Sequence, residues 1–413
     1  MVIPYYRAQA RLDLVLTALA LQTYPRSRLE VIVADDGSPA APRVPESAAG
    51  LDVVVVRQPD HGFRAAAARN LGAGVSSGEV LCFLDADTVP EPEYVQRLAR
   101  LPALLPDALV TGRRRHADLT DWTPARLRAW LTGAGPAPAE LAEPRWLAEL
   151  VADGVRAVDD RSYRTVISAV VACSRGLFTE VGGFEESFTS YGGEDWELAH
   201  RMFTAGAVLA HEHRAQAWHD GPDWAGRITD PATAAAQKLA EASALARLIP
   251  EPGARGERGP FPLPDVAVQF GGGDSDSDGR DLQRSVAMVL GSVTDVGVWT
   301  GVVDLAAADP RVHPGAVPAD VRARCRTLVH LSAGCGLTPR VLAALIELVR
   351  PGGPGQVVVA TATGHQVRVT ANRALQRAQR WSGPLGRHEA VLLQQLFGVR
   401  TFDPQQSAAL GEC

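Results

Sequence analysis

The chain has 413 residues, enough for one large domain and a smaller one, and its formal net charge at pH 7 is −6. This acidic balance argues against nucleic acid or a strongly anionic membrane as a partner. The longest apolar runs are shorter than the roughly 18 residues that a membrane-spanning helix needs, so any membrane contact is expected to be peripheral.

The first part of the chain alternates between predicted strands and helices. Strands are predicted at residues 2–3, 29–34, 53–56 and 80–84, and helices at 12–19 and 64–72. Pro4-Tyr5-Tyr6 is expected to end the first strand. Because that strand begins almost at the first residue, the natural start is expected a few residues upstream, and Arg7 and Arg11 argue against a signal peptide. The alternation predicts a doubly wound, mostly parallel α/β sheet with flanking helices.

The middle of the chain is less regular. A helix is predicted at 91–101, a strand at 165–173, an amphipathic helix at 194–203, and short strands at 207–210 and 215–218. Periodicity weakens over residues 113–160, which predicts a long excursion with short helices. For the arginine triplet 113–115 inside it, a solvated loop is the favoured interpretation. Contact with an anionic or lipid-linked acceptor is the alternative.

The composition changes near residue 250. Pro- and Gly-rich sequence predicts a linker over 250–283, between a large domain, 1–249, and a smaller α/β region, 284–413. In that region strands are predicted at 286–290 and 357–360, and a helix at 339–348. The linker segment 274–279 resembles the start of a calcium-binding loop, but Ser285 stands where such a loop needs a glutamate, so a solvated linker is predicted.

The cysteines point to a reducing environment. Five are present, at positions 82, 173, 325, 335 and 413, widely spaced and without a Cys-x-x-Cys pair. An odd number without a metal-binding cluster predicts free thiols in a cytoplasmic protein.

Two carboxylates follow the most apolar predicted strand. Residues 80–84 run directly into Asp85 and Asp87, which are alternate residues and so point the same way in an extended chain. Ligands of open α/β sheets bind at the carboxyl edge, where this strand ends. Paired carboxylates there favour a hard divalent cation, which in turn holds a diphosphate. A plain polar turn is the alternative.

Five motifs in order make residues 1–225 resemble a family 2 glycosyltransferase with the GT-A fold. The motifs are Val2-Ile3-Pro4-Tyr5-Tyr6, Asp35-Asp36-Gly37-Ser38, Ala68-Arg69-Asn70-x-Gly72, Asp85-Ala86-Asp87, and Gly182-Gly183-Phe184 followed by Gly192-Gly193-Glu194-Asp195. The resemblance implies an inverting enzyme that moves a sugar from a nucleotide-sugar donor, with UDP-sugar favoured, to an acceptor hydroxyl. It also implies Mn²⁺ or Mg²⁺ as cofactor. It does not extend to residues 284–413.

The resemblance assigns donor-binding roles to residues at the strand ends. It implies that Asp87 is a metal ligand, that Asp85 contacts the ribose or a metal-bound water, and that Asp36 accepts a hydrogen bond from the base. Pro4 and Tyr6, after the first strand, are candidates to wall the base. Arg64 is a candidate donor contact, with an ordinary solvated helix residue as the alternative.

The resemblance also implies a general base at the start of a helix. Asp195 takes that role, with Glu194 as an acceptor-binding neighbour, although acidic residues also favour helix starts on their own. Trp196 is either a sugar-stacking face or part of the core.

One histidine is implied to complete the metal site. The resemblance favours His219, and imidazole suits Mn²⁺ tolerably. His211 and His213 are the rivals.

Two other classes of protein remain as alternatives. A sugar nucleotidyltransferase usually has a Gly-rich, basic loop after the first strand, where this chain has Pro4-Tyr5-Tyr6-Arg7. A non-catalytic binding or scaffold protein with the same fold would not need the acids at 85, 87 and 195.

Overall fold

The structure is a computed structural model that describes residues 1–144, 147, 158–222, 230–255, 261–271, 279–301 and 308–409. Of residues 274–279, which resemble the start of a calcium-binding loop, only Gly279 is described. Cys413 and part of the predicted excursion 113–160 also lie outside the described residues. The chain forms two compact units. The first unit comprises Met1–Ala157, Ser162–Met202 and Val208–Ala244, and the second unit comprises Val158–Arg161, Phe203–Ala207 and Leu245–Cys413.

Nine strands and seven helices begin in the first unit as described. The strands are β1 (Val2–Tyr5), β2 (Glu30–Asp35), β3 (Asp52–Arg57), β4 (Val80–Leu84), β5 (Thr88–Pro90), β6 (Ala108–Asp118), β7 (Ala139–Leu141), β8 (Val170–Ser174) and β9 (Val208–Asp220). The helices are α1 (Gln9–Ala20), α2 (Ala65–Val75), α3 (Tyr94–Leu104), α4 (Pro124–Leu131), α5 (Arg175–Glu180), α6 (Glu194–Thr204) and α7 (Pro231–Leu248).

These strands form one mixed sheet in the order β3-β2-β1-β4-β8-β6-β9-β5, with β7 added beside β6. The first four are parallel, so the residues after β2 and β4 emerge at the same edge. Strand β8 runs antiparallel between β4 and β6, and β9 is parallel to β6. The predicted α/β fold is confirmed.

The apolar runs of the sequence explain why the central strands form. In β2 every residue after Glu30 is buried, and in β4 every residue after Val80 is buried. Strands buried on both faces are continuous apolar runs, as in other parallel sheets covered by helices. Helix α1 buries its apolar side, including Leu12 and Leu19, in the same core.

Two strand boundaries differ from the prediction. Strand β1 continues through Pro4 and Tyr5, which lie opposite Ala34 and Asp35 of β2. A proline is tolerated there because β1 pairs with β4 only through Val2, so the side of the strand next to β4 has no ladder at Pro4. The two short strands predicted at 207–218 are a single strand, β9, with a bulge opposite Gly112 and Arg113.

The arginine triplet 113–115 is not a solvated loop, because it lies in β6 between β9 and β7. Arg114 is buried, Arg113 pairs with Glu143 at 3.0 Å, and Arg115 pairs with Glu140. The glutamates that pair with Arg113 and Arg115 are 30 and 25 residues away in the chain. The spacing of apolar residues gives no sign of such pairs.

The second unit has its own sheet. Its strands are β10 (Val266–Phe270), β11 (Val296–Thr300), β12 (Val312–Pro314), β13 (Thr327–Leu331), β14 (Gln356–Ala360), β15 (Gln366–Ala371) and β16 (Val399–Phe402). The helices are α8 (Pro252–Arg255), α9 (Gly279–Ser292), α10 (Ala319–Arg324), α11 (Pro339–Leu348), α12 (Asn372–Leu385), α13 (Glu389–Phe397) and α14 (Pro404–Ala409). The strand order is β12-β11-β10-β13-β15-β14-β16.

Two predictions in this unit are wrong and two are confirmed. Residues 250–283, predicted as a linker, contain β10, which pairs with both β11 and β13. Residues 286–290, predicted as a strand, lie in α9, where Val286 and Val289 face inward one turn apart. A five-residue apolar run does not distinguish a buried strand from a helix. The helix at 339–348 and the strand at 357–360 are present as α11 and β14.

Two further features concern the cysteines and the helices. Cys82, Cys173, Cys325 and Cys335 are buried free thiols. Within the described ranges, every helix falls short of the length and apolarity needed to cross a lipid bilayer.

Candidate active site

The turn after β2 holds two acids in a fixed geometry. Asp35 accepts a hydrogen bond from the Ser38 backbone at 2.9 Å. Asp36 accepts from the Gln58 side chain at 2.6 Å and from the Arg64 backbone at 2.8 Å. Gly37 has φ of 82°, and a Cβ there would lie 2.4 Å from the Asp60 backbone, so only glycine fits this turn. The carboxylate of Asp36 is therefore held in one orientation at the sheet edge.

The turn after β4 brings Asp87 beside His219. Strand β5 follows the acids directly and pairs antiparallel with β9, with Thr88 opposite His219. As a result, His219 Nε2 lies 3.4 Å from Asp87 Oδ2. The other ring nitrogen, Nδ1, lies 3.1 Å from the Gly221 carbonyl oxygen. A histidine whose Nδ1–H is held by a backbone carbonyl presents a lone pair on Nε2, as metal-binding histidines do.

The two rival histidines lie elsewhere on the same strand. His211 pairs with Thr111 of β6, on the far side of the β9 bulge from His219. Eight residues of extended chain span roughly 25 Å, so His211 is remote from Asp87. Burial, followed by the charge of His213, lowers the pKa of His211. Of the three histidines, only His219 is brought to Asp87.

Arg69 joins the acids of two distant segments, a role that its place in the Ala68-Arg69-Asn70 motif does not reveal. Its side chain is only 4% exposed. It donates to Asp85 Oδ1 at 2.8 Å and to Glu194 Oε1 at 3.0 Å. Burial alone lowers the pKa of Arg69, but the two carboxylates raise it above its usual value. The one guanidinium therefore holds the predicted donor acid and the predicted acceptor acid next to each other.

Helix α2 positions Arg69 through the residue that follows it. The Asn70 amide exchanges hydrogen bonds with the Phe184 backbone, at 2.8 and 2.9 Å. The Phe184 ring then faces the Arg69 guanidinium at 5.3 Å. Gly183 has φ of 73°, and a Cβ there would lie 2.6 Å from Asn70 Oδ1. The Ala68-Arg69-Asn70 and Gly182-Gly183-Phe184 motifs are thus two halves of one contact.

Asp195 lies in the first turn of α6, beside Glu194. Burial, and next the Glu194 carboxylate, raise the pKa of Asp195 to about 7. The Trp196 and Ser168 backbone groups and the Arg69 charge oppose this shift without cancelling it. Trp196 N donates to Asp195 Oδ1 at 2.9 Å, which orients the carboxyl group. A carboxyl that titrates near neutral pH is suited to accept a proton in catalysis.

The remaining predicted residues lie around these acids with weaker contacts. Tyr6 is exposed, and its hydroxyl lies 3.3 Å from Asp60. Arg64 directs its guanidinium at Glu186, 3.4 Å away, so that the backbone N–H is its contact with Asp36. Trp196 is half-buried and packs edge-on against Tyr163, with centroids 6.5 Å apart. Pro4 is half-buried within β1.

Comparison with known families decides the class of this domain. The family model for glycosyl transferase family 2 matches residues 1–159, and the model described as the N-terminal domain of galactosyltransferase matches residues 158–214. Residues 1–159 belong to glycosyltransferase family 2. This match confirms the resemblance carried by the first four motifs, and the matched residues include Asp36, Arg69, Asp85 and Asp87.

This chain matches only part of the length of its curated relatives. A validoxylamine A glucosyltransferase from Streptomyces hygroscopicus subsp. limoneus is 34% identical over 50% of this chain and 48% of the relative. A chondroitin synthase from Pasteurella multocida is 30% identical over 55% of this chain and 25% of the relative. The chain thus spans about half or less of these proteins. A crystal structure of S. aureus TarS 1–349 with UDP-GlcNAc overlaps 62% of this chain and 68% of its own at 14% identity, with a TM-score of 0.43.

Two side chains of the first unit, Asp87 and His219, could hold a divalent metal ion. Among the described residues no three histidine, cysteine or acidic side chains are clustered as a complete metal site. Mg²⁺ is commonly held by one or two carboxylates together with substrate phosphates and waters. The Asp87 carboxylate and His219 Nε2 lie 3.4 Å apart. The carboxylate oxygen suits either Mn²⁺ or Mg²⁺, whereas the imidazole nitrogen suits Mn²⁺ better than Mg²⁺.

Loss of the Arg69 guanidinium is expected to lower the free energy of unfolding of the first unit. Arg69→Met leaves the carboxylates of Asp85 and Glu194 without their cation, and breaking such a buried pair costs about 3–5 kcal/mol of unfolding free energy. Arg97→Met, which breaks only a surface pair with Glu93, should cost less than about 1 kcal/mol. Urea unfolding of both variants measures the difference. Equal losses in the two would contradict the bridging role of Arg69.

Proposed function

We propose that this chain is a metal-dependent, inverting glycosyltransferase that moves a sugar from a nucleotide-sugar donor, with UDP-sugar favoured, to an acceptor hydroxyl. The observation that carries the proposal is the Arg69 cluster, which consists of Arg69, Asp85, Glu194 and Asp195. Arg69 binds both Asp85, which follows β4, and Glu194, whose neighbour in the chain is Asp195, a carboxyl group with a pKa of about 7. A single displacement needs one base and no protein nucleophile, and the cluster supplies that base.

Each acid has a separate task in the proposed reaction. Asp195 accepts the proton of the acceptor hydroxyl, and Glu194 binds the acceptor beside it. Asp36 accepts a hydrogen bond from the base of the donor, and Asp85 contacts its ribose or a metal-bound water. Asp87 and His219 would hold the divalent ion, which would supply Lewis-acid stabilisation of the negative charge on the departing diphosphate.

The acceptor is proposed only as a class. One relative is named as a glucosyltransferase of validoxylamine A and another as a chondroitin synthase. Their names support transfer to a natural-product scaffold or to a glycan, and both classes enter the test.

The proposal is tested by nucleotide release from the purified chain. UDP-sugars are incubated with Mn²⁺, with and without hydroxyl acceptors of both classes, and UDP release is measured. We expect release that depends on the metal and rises with the correct acceptor. Binding of UDP-sugar without release under any of these conditions would favour a non-catalytic protein. Release of pyrophosphate from UTP and a sugar 1-phosphate would favour a nucleotidyltransferase.

A further inference from the structure

A pocket lies in the second unit, to which all of its lining residues belong. Three guanidinium groups line it, from Arg326, Arg350 and Arg373, with one lining carboxylate, Asp160. Apolar side chains, among them Phe203, form the rest of the wall. The pocket therefore combines guanidinium groups with an apolar surface, and none of its lining residues has a role in the proposed transfer reaction.

Two of the three arginines already have acidic partners. Arg326 binds both oxygens of Asp265, at 2.6 and 2.5 Å, and also contacts Asp160. Arg350 lies 3.2 Å from Asp160 and pairs with Glu347 at 2.5 Å. The carboxylate of Asp160 is therefore shared between these two arginines. The third arginine has no direct ion pair: burial lowers the pKa of Arg373, and the charge of Asp160 opposes this only at longer range.

Arg373 is that third arginine, and Thr204 lies in the same wall. Arg373 forms no ion pair with a carboxylate of the described residues, and its Nε is buried without a hydrogen bond. Its guanidinium faces the rings of Phe203 and Phe397 at 5.8 and 5.4 Å. Thr204 is 2% exposed, and its hydroxyl has no hydrogen-bond partner among the described residues. Polar groups buried in this way cost free energy unless a ligand satisfies them.

We propose that this pocket binds a small molecule that carries a phosphate group. The phosphate lies against the Arg373 guanidinium and accepts a hydrogen bond from the Thr204 hydroxyl, while the rest of the molecule packs on the apolar wall. A guanidinium pairs with phosphate through parallel N–H bonds, which makes Arg373 a suitable anchor. The assignment does not depend on the proposed glycosyl transfer.

The test is calorimetry on the full chain in EDTA, with ionic strength held constant. Phenyl phosphate, inorganic phosphate and benzoate are the probes. We expect saturable binding of phenyl phosphate at one site per chain, weaker binding of inorganic phosphate, and benzoate at least about tenfold weaker, since a carboxylate accepts fewer hydrogen bonds. If neither phosphate probe binds saturably, the site is refuted. If benzoate binds as tightly as phenyl phosphate, the assignment to phosphate is refuted.

Three variants place the binding in the pocket. Arg373→Met and Thr204→Val are each expected to weaken phenyl phosphate binding about tenfold or more. Arg340→Met, which removes an exposed arginine of α11 in the same unit, should bind like the parent. Thr204→Val removes a buried hydroxyl that has no partner, so its thermal midpoint without ligand should not fall. If Arg373→Met does not fold, Thr204→Val alone decides, and parental affinity in that variant overturns the proposal.

Discussion

Asp195→Asn is expected to lower the rate of sugar transfer by a factor of about 10²–10⁴, the usual value of a positioned general base. The amide has nearly the same shape as the carboxyl group, and its oxygen can still accept the 2.9 Å hydrogen bond from Trp196 N. The Arg69 bridge to Asp85 and Glu194 does not involve Asp195 by hydrogen bonding, so UDP-sugar affinity should change little. Turnover and calorimetric affinity, measured on the same preparation, separate the two effects. Near-normal turnover of the variant would remove Asp195 from the mechanism.

The same residue sets the pH dependence of the reaction. The base must be unprotonated, so kcat/KM should fall as the pH drops through about 7, the pKa of Asp195. Asp52→Asn changes an exposed acid of β3 and is the matched control, because it should leave both rate and profile as in the parent. If the parent shows a flat rate from pH 8 down to pH 5, Asp195 does not titrate as the structure implies.

Stability supplies an independent readout with a definite sign. The folded pKa of Asp195, about 7, is above the value near 3.9 of an unfolded chain. The folded state therefore binds an extra proton between these values, and stability contributed by that proton is lost as the pH rises through 7. Asp195→Asn cannot carry the charge, so its thermal midpoint at pH 8 should exceed that of the parent. The two midpoints should converge as the pH falls toward 4.

The sequence located the acids because parallel strands deliver their following residues to one edge. Asp36 follows β2 directly, and Asp87 comes soon after β4. Both lie at the carboxyl edge of the parallel strands, as predicted. The resemblance favoured His219 over His211 and His213, and the antiparallel pairing of β5 with β9 brings it beside Asp87. Its role as a metal ligand stays a prediction. Periodicity is enough to place acids that follow a strand, whereas the position of His219 depends on pairing between strands that are far apart in the chain.

Arg69 shows what the sequence could not supply. The Ala68-Arg69-Asn70 motif marked the position, but the partners of Arg69 are 16 residues away at Asp85 and 125 residues away at Glu194. Nothing in local spacing links an α2 arginine to an acid at the start of α6. The same limit applies to β10, a short apolar run whose central place in its sheet depends on neighbours on both sides.

The Arg69 bridge also explains why neighbouring acids can have different tasks. Asp85 and Glu194 each accept a hydrogen bond from the shared guanidinium, whereas Asp195 has only backbone hydrogen bonds and the more distant Arg69 charge. Burial and the adjacent Glu194 then dominate at Asp195. Carboxyl groups whose surroundings differ can have different pKa values, and they can therefore take different roles in a reaction. Arg69 is therefore a positioning residue whose charge keeps Glu194 in place while leaving Asp195 able to titrate.

Asp87→Ala is expected to remove most of the metal-dependent affinity for UDP. Asp87 is one of only two protein ligands proposed for the ion, and with Mn²⁺ present its loss should weaken UDP binding by about 10²-fold, a little under 3 kcal/mol. The parent in EDTA should then bind UDP about as weakly as Asp87→Ala does in Mn²⁺. Calorimetry with UDP and Mn²⁺ measures both values, and unchanged affinity in the variant would rule out this role.

Two histidine variants make the same test specific to the geometry. His219→Gln removes the nitrogen that lies 3.4 Å from Asp87 Oδ2 and should weaken Mn²⁺-dependent UDP binding at least about tenfold. His211→Gln changes a histidine on the same strand, beyond the bulge, and should bind like the parent. Because both side chains are imidazoles of β9, a general effect on the strand would weaken binding in both variants. Weaker binding in His211→Gln alone would move the metal to the other end of the strand and overturn the Asp87–His219 assignment.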